Sequence, residues 1–260
     1  GQNFGWRMPF YALVALGIPV FIVGMFSLPP LTGHLTGQRV HPLKALLTTF
    51  RSWNNWQAFA LMTTLMMGAF AVIPYINPYL QANVGVPKGY LMLVYLIGGG
   101  LTLLTAPIVG KLADRYGKLL MFRIIAPISA LMLLAVTSLP VVPPLVAVVV
   151  VAGLIVANSG RMIAAMAMIT GTVPPHQRGA FLSANASIQH IASGLGTLLA
   201  SKVITEADNG QLQHFSQVGF HACVITLLSV WLAGRLQPVV AAKPVSLETE
   251  LAAVTAAEQG

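Results

Sequence analysis

The chain has 260 residues, of which 56% are hydrophobic and only 8% are charged. A soluble domain carries roughly 25% charged residues, so this composition excludes a water-soluble globule and predicts a protein that crosses the bilayer several times. The net charge of +8 does not indicate nucleic-acid binding, because the cations lie in short segments between apolar runs. Cys223 is the only cysteine and the histidines are scattered, which predicts no disulfide, no metal site and no cofactor.

Seven apolar runs have roughly the length of about 20 residues that a helix needs to span a membrane. Prolines and short polar segments separate these runs. The predicted spans are 8–28, 56–80, 90–109, 119–139, 145–170, 181–204 and 218–236. The sequence therefore predicts an all-α fold, a multi-pass bundle of transmembrane helices embedded in the lipid bilayer.

Prolines and small residues predict how individual spans behave. Pro74 and Pro78 fall late in the second span and predict a broken helix, whose freed carbonyls face protein or a watery cavity. Pro107 is expected to end the third span, and residues 43–50 predict a short amphipathic surface helix. Small residues that allow close helix packing recur on one face of the fifth span: Gly153, Ala157, Gly160 and Ala164.

A compact polar segment, GKLADRYGK at residues 110–118, separates the third and fourth spans. Its charged side chains cannot lie in hydrocarbon, so the chain must surface here. The pattern G-x-x-x-D-R-x-G-K resembles the loop motif of the major facilitator superfamily of secondary transporters. The alternative interpretation is a short cytoplasmic turn whose cations only set the topology.

Two further motifs resemble this family. Residues 5–10, GWRMPF, are similar to the entry of the sixth helix in drug-efflux-like members, and residues 174–179, PPHQRG, to the loop before the eleventh helix. The chain begins without a methionine or a signal peptide and is expected to be a piece of a longer protein, whose missing N-terminal half is its partner. The implied domains are the final helix of the N-terminal bundle (1–28), a cytoplasmic linker (29–54), a six-helix C-terminal transport bundle (55–236) and a disordered cytoplasmic tail (237–260).

The resemblance assigns gating to the polar segment, because such loops in the family latch the cytoplasmic face in the outward-facing state. Asp114 is expected near the start of the fourth span, where the helix dipole favours a carboxylate by about 0.3–1 kcal/mol. Lys111 and Arg123 are interpreted as topology charges, and Arg178 fits either role. The gating candidates are Gly110, Asp114, Arg115, Gly117, Lys118 and Arg178.

Polar side chains inside the spans are candidates for a substrate pathway. A central arginine costs about 2.5–3.5 kcal/mol on insertion scales, so Arg161 is expected to face the bundle interior or a cavity; the alternative is snorkelling to the interface. Polar residues spaced four apart from Asn185 share a face that lines the cavity or forms interhelical hydrogen bonds. The pathway candidates are Tyr75, Asn77, Asn158, Arg161, Asn185 and Gln189.

The charge distribution predicts the orientation. With the first span running inward, ten Lys and Arg residues lie in the inner segments and three lie outside, so the C-terminus is predicted to be cytoplasmic. The resemblance implies a secondary active transporter of the plasma membrane, specifically a bacterial inner membrane, that works by alternating access. Proton-coupled efflux of a small molecule is the leading hypothesis, and import of a sugar or organic solute is the alternative.

The sequence also limits the other classes of function. No Asp or Glu lies inside a predicted span, so a proton-carrying carboxylate would belong to the missing half. A seven-span photoreceptor is disfavoured because the last span, 218–236, lacks the lysine that a retinal protein needs, and a receptor would not need the polar segment at 110–118. An enzyme is not predicted, because no carboxylate pair, Ser/His dyad or His cluster lies at membrane depth.

Overall fold

The computed structural model describes residues 7–27 and 42–238. Part of the GWRMPF motif, half of the predicted linker and nearly all of the predicted tail lie outside the described residues. The chain divides into two compact units, Gly1–His41 and Pro42–Gly260. The first contributes α1, Met8–Ser27, a 20-residue apolar helix that contains Pro19.

The second unit is a helical bundle with a single small hairpin. Its elements are α2 (Pro42–Arg51), α3 (Trp53–Val72), a 3₁₀ turn (Ile73–Tyr75), α4 (Ile76–Ala82), α5 (Lys88–Tyr116), α6 (Lys118–Thr137), α7 (Pro144–Thr170), a second 3₁₀ turn (Pro175–Gln177), α8 (Arg178–Val203), β1 (Thr205–Glu206), β2 (Leu212–Gln213) and α9 (Phe215–Ala233). Successive long helices run in opposite directions. One end of the bundle therefore carries α2 and the α5–α6 turn, and the other carries the β1–β2 hairpin; we call them the α2 end and the hairpin end.

The predicted all-α multi-pass bundle is confirmed. Six helical segments in the described part of the chain are long and apolar enough to cross a membrane: Phe10–Ser27, Trp53–Ala82, Lys88–Tyr116, Lys118–Thr137, Pro144–Thr170 and Phe215–Ala233. The remaining predicted span, 181–204, forms helix α8, whose 26 residues are sufficient to span a bilayer. Polar residues lower the mean hydropathy of α8, and for this reason α8 is not among the six candidate spans named above.

Two local predictions at either end of α3 are confirmed. The expected amphipathic helix is α2, which packs Leu46 and Phe50 against the core. The side chains of Asn55 and Trp56 of α3 fix the carboxyl end of α2 by donating hydrogen bonds to the carbonyls of Thr49 (2.8 Å) and Phe50 (2.8 Å). The expected break is the 3₁₀ turn Ile73–Tyr75, after which α4 continues.

The prediction that Pro107 ends the third span is wrong, because α5 continues through Pro107 to Tyr116. A proline removes one backbone donor, a loss that transmembrane helices tolerate without ending. The helix ends instead at Gly117, whose φ of 99° lies in a region that disfavours side-chain-bearing residues. The β1–β2 hairpin was not predicted, since strands of two residues carry no readable alternation.

Small residues bring the helices together around two central helices. α3 packs against α8 and α9, and α7 packs against α5 and α6. A Cβ atom placed on Gly196 of α8 would lie 2.7 Å from the carbonyl oxygen of Met67, so α3 and α8 meet backbone to backbone. The small-residue face predicted on α7 is also observed, with Ala157, Gly160 and Ala164 buried.

Candidate functional site

A polar layer lies between two apolar core clusters. The cluster at the hairpin end includes Val72, Leu133 and Leu154, and the cluster at the α2 end includes Leu65 and Ala126. Between them, three helices contribute four polar residues with at most 2% exposure: Ser129, Arg161, Thr226 and Ser229. The middle of the bundle therefore holds a cluster of buried polar side chains.

Arg161 is the centre of this layer. Its side chain is 2% exposed, which excludes the snorkelling alternative. Its Nη1 donates to Thr226 Oγ1 of α9 (2.9 Å) and its Nη2 donates to Asn158 Oδ1 of α7 (2.6 Å). The carboxylates among the described residues, Asp114, Glu206 and Asp208, all lie at the ends of the bundle. Neutral oxygens within the described bundle, and not a carboxylate, are therefore the hydrogen-bond partners of this charge.

A cavity of about 150 Å³ adjoins the layer between the break in α3–α4, α5 and α7. Asn158 and Ser159 of α7, Tyr95 of α5 and apolar residues of the break line it. The hydroxyl of Tyr95 donates to Asn77 Oδ1 (3.1 Å). Tyr95 and Asn158 therefore line the same cavity, and each is hydrogen-bonded to a polar residue outside it, Tyr95 to Asn77 and Asn158 to Arg161.

The break itself is closed by α8. Because Pro74 has no N–H, the carbonyl of Phe70 loses its helical partner. Thr197 Oγ1 donates to that carbonyl (3.0 Å), and the hydroxyl of Tyr75 donates to the carbonyl of Thr197 (3.4 Å). The carbonyl freed by Pro74 therefore accepts a hydrogen bond from a neighbouring helix, as the prediction of a broken helix required.

The two pathway candidates on α8 lie on its α3 side. Asn185 is buried and its Oδ1 has no hydrogen-bond partner among the residues that the structure describes, whereas Gln189 is half-buried. Polar and small residues form a separate exposed row that we call the α8 polar stripe: Ser183, Ser187, His190, Gly194 and Ser201. Its three hydroxyls donate to carbonyls of their own helix, so the stripe does not depend on another described element for its hydrogen bonds.

The structure separates the gating candidates. Gly110, Asp114 and Arg115 belong to the last turns of α5, only Gly117 lies between helices, and Lys118 begins α6. The predicted loop is therefore mostly helix. Asp114 was expected near the start of the next helix, but it lies at the carboxyl end of its own, because α5 runs past Pro107.

Three of these candidates share a second cavity, of about 400 Å³, at the α2 end. Asp114, Gly117 and Lys118 line it together with Gly171 and Thr172, which follow α7, and residues beyond α9. Arg178 is exposed at the start of α8, where its Nε donates to the carbonyl of Val173 (3.4 Å). This cavity lies between the ends of four helices, α5, α6, α7 and α9, so a change in its contacts would affect several helices.

Sequence reasoning missed three residues that take part in these contacts: Tyr95, Thr197 and Thr226. Thr197 continues the spacing of four that links Asn185, Gln189 and Ser193, so that pattern contained the signal. Tyr95 and Thr226 carry no such signal, because a hydroxyl in an apolar run is common and their partners are distant in the chain.

Comparison with known proteins gives one family. A family model described as Major Facilitator Superfamily matches residues 1–197, which is 197 of the 260 residues. The matched region includes α5 and α7, which line both cavities, and most of α8. No solved structure matches the chain significantly.

Proposed function

The chain belongs to the major facilitator superfamily of secondary transporters, and from this premise we propose that it carries out proton-coupled efflux of a small molecule. Transport would follow alternating access, in which two helical bundles rock around a central site. The observation that carries the proposal is the cavity between the broken α3–α4 segment and α7, because discontinuous helices recur at the substrate sites of transporters.

In this proposal, residues 55–236 form the C-terminal transport bundle and the N-terminal half of the same protein supplies the opposite wall. The α8 polar stripe supports a neighbour other than lipid, because lipid tails offer nothing to a polar surface. Most Lys and Arg residues of the described bundle lie at the α2 end. At the hairpin end, the described residues include only two, Lys88 and Lys202. The α2 end is therefore assigned to the cytoplasm of a bacterial inner membrane.

The proposed pathway uses the residues that the structure links. Asn77 and Asn158 would contact the substrate beside Tyr95, and Arg161 would orient Asn158 through the hydrogen bond between them. Tyr75 would hold the break against α8. Asn185 and Gln189 would act from the α3 side of α8, where the unpartnered Oδ1 of Asn185 is available to accept a hydrogen bond.

The proposed gate is the cavity at the α2 end. Asp114 and Lys118 would exchange contacts between the two conformations, with Gly117 as the turn that allows α5 and α6 to move. Gly110, Arg115 and Arg178 would contribute contacts in one state only, which biases the equilibrium by their differential energy. The described spans hold no carboxylate at mid-membrane depth, so the proton carrier would lie in the other half.

The test is efflux of a panel of dyes and antibiotics by cells that express the whole protein, driven by a proton gradient. We expect the Asp114→Asn variant to lose most of this efflux while remaining in the membrane, because it removes the gate's carboxylate. Asp208→Asn, which changes a carboxylate in the hairpin loop, is the matched control and should transport normally. Unchanged efflux in Asp114→Asn would contradict the gate, and absence of efflux by the unmodified protein would contradict the proposed direction.

A further inference from the structure

A groove of about 340 Å³ lies at the hairpin end, where α8 and α9 both pack against α3. Its walls are almost entirely apolar and include Met67 of α3, Leu199 of α8 and Ile225 of α9. The small side chains of Ala71 and Ala222 leave the space between the helices open. The groove is therefore shaped by side-chain size along the seam of three helices.

The groove opens away from the proposed transport pathway. Leu199 in the groove wall follows His190 of the α8 polar stripe by nine residues, or about two and a half helical turns, so the two lie on opposite sides of α8. Leu199 and Val203 in the groove wall are exposed apolar side chains, and the exposed apolar surface of a membrane-embedded bundle faces hydrocarbon. The groove is therefore open to the bilayer.

Two polar side chains lie at the water-facing end of this groove, Lys202 and His221, and the ring of His221 is bonded through Nδ1 to the carbonyl of Gln217 in its own helix (2.7 Å). Lys202, in the last turn of α8, is exposed and lines the groove. Glu206 and Asp208, in the hairpin that follows, carry the opposite charge at the same end. The end as a whole is thus not a positive surface, and attraction for an anion depends on the position of Lys202 itself.

We propose that this groove binds one acyl chain of a membrane glycerophospholipid, with the phosphate of that lipid at Lys202. An apolar channel that ends in a lysine at the interface is complementary to an amphiphile with an anionic head, because a lysine near a membrane surface attracts such heads. Burial of each methylene group in the groove adds to the binding. The proposal does not depend on the direction or coupling of transport.

Native mass spectrometry of the purified full chain in detergent tests the proposal, with palmitoyl-oleoyl-phosphatidylglycerol as the probe and the matching diacylglycerol as the phosphate-free comparison. Lys202→Ala should weaken binding of the phospholipid about fivefold, the loss expected for one lysine near the surface. Lys88→Ala removes an exposed lysine at the same end that does not line the groove, and should leave binding unchanged.

A second pair of variants tests the groove without touching charge. Ala71→Phe fills the channel and should reduce binding of both lipids, whereas Ala135→Phe, at a half-buried alanine of α6 outside the groove, should not. Equal losses in Lys202→Ala and Lys88→Ala would overturn the phosphate site. Equal binding by Ala71→Phe and Ala135→Phe, with both variants eluting as the unmodified protein does, would overturn the acyl-chain site.

Discussion

Helices α7 and α8 both carry polar residues at membrane depth, but they carry them on different sides of the bundle. On α7, Asn158 and Arg161 are bonded to one another, and Arg161 reaches Thr226 of α9. On α8, His190 and the serines of the polar stripe are exposed, and the serine hydroxyls bond only to their own helix. Polar residues in these transmembrane helices therefore occupy two kinds of position, an internal layer that joins helices and an outer face that is exposed in the described bundle.

This difference predicts where substitutions act. Removing a group from the α7 layer leaves its buried partners without hydrogen bonds, so the free energy of unfolding should fall. Removing a group from the α8 polar stripe leaves no buried partner behind, so stability should hold while the contacts of that face change. The variants below test this division, beginning with the largest expected effect.

Arg161→Ala should have the largest effect. It empties a buried volume and leaves Asn158 Oδ1 without its donor, and together these losses should cost about 3–5 kcal/mol of unfolding free energy. The midpoint of thermal unfolding in detergent should fall by roughly 10 °C or more. His190→Ala, on the α8 polar stripe, is the control and should unfold at the original temperature. Equal midpoints for the two variants would remove the distinction between the helices.

Two glycines of α8 give the next effect, because they lie on different sides of the same helix. Gly196→Ala places a Cβ 2.7 Å from the carbonyl oxygen of Met67, so α3 and α8 must separate at a cost of about 1–3 kcal/mol. Gly194→Ala meets no atom within 4 Å, and should be neutral or stabilise the helix by up to about 1 kcal/mol. Thermal unfolding of the two variants measures the difference directly, and an equally stable Gly196→Ala would contradict the close approach of α3 and α8.

Local patterns predicted more of this fold than of the site. The spans, the surface helix α2 and the break at Pro74 follow from hydropathy, amphipathicity and the missing proline donor, all of which act within a few residues. The same reasoning failed at Pro107, because whether a proline ends a helix depends on what surrounds the freed carbonyl. The motif at 110–118 identified the family, but its conformation depended on where α5 ended.

The contacts of the site depend on residues far apart in the chain. Arg161 was expected to face the interior, but its partner Thr226 lies 65 positions away. The hydrogen bond from Thr197 to Phe70 joins residues 127 positions apart. Spacing along one helix says which residues share a face, and only the packing of helices says what that face meets. This is why Asn185 and Gln189 could be placed on one face of α8 but not assigned to α3.

The smallest expected change in stability concerns the α8 polar stripe, and there the informative measurement is access to water. The sole cysteine, Cys223, is buried, so a cysteine introduced elsewhere can be labelled selectively. Ser187→Cys on the stripe and Leu199→Cys, which lies 12 residues later and therefore about 120° further round the helix, are both exposed in the isolated bundle. In membranes, a charged maleimide should label Ser187→Cys and not Leu199→Cys, because only a stripe that borders an aqueous path admits a charged reagent. Both variants should unfold within about 0.5 kcal/mol of the original. If the reagent labels neither variant, lipid or protein covers both faces of α8. The exposed polar residues of α8 would then need an explanation other than a transport pathway.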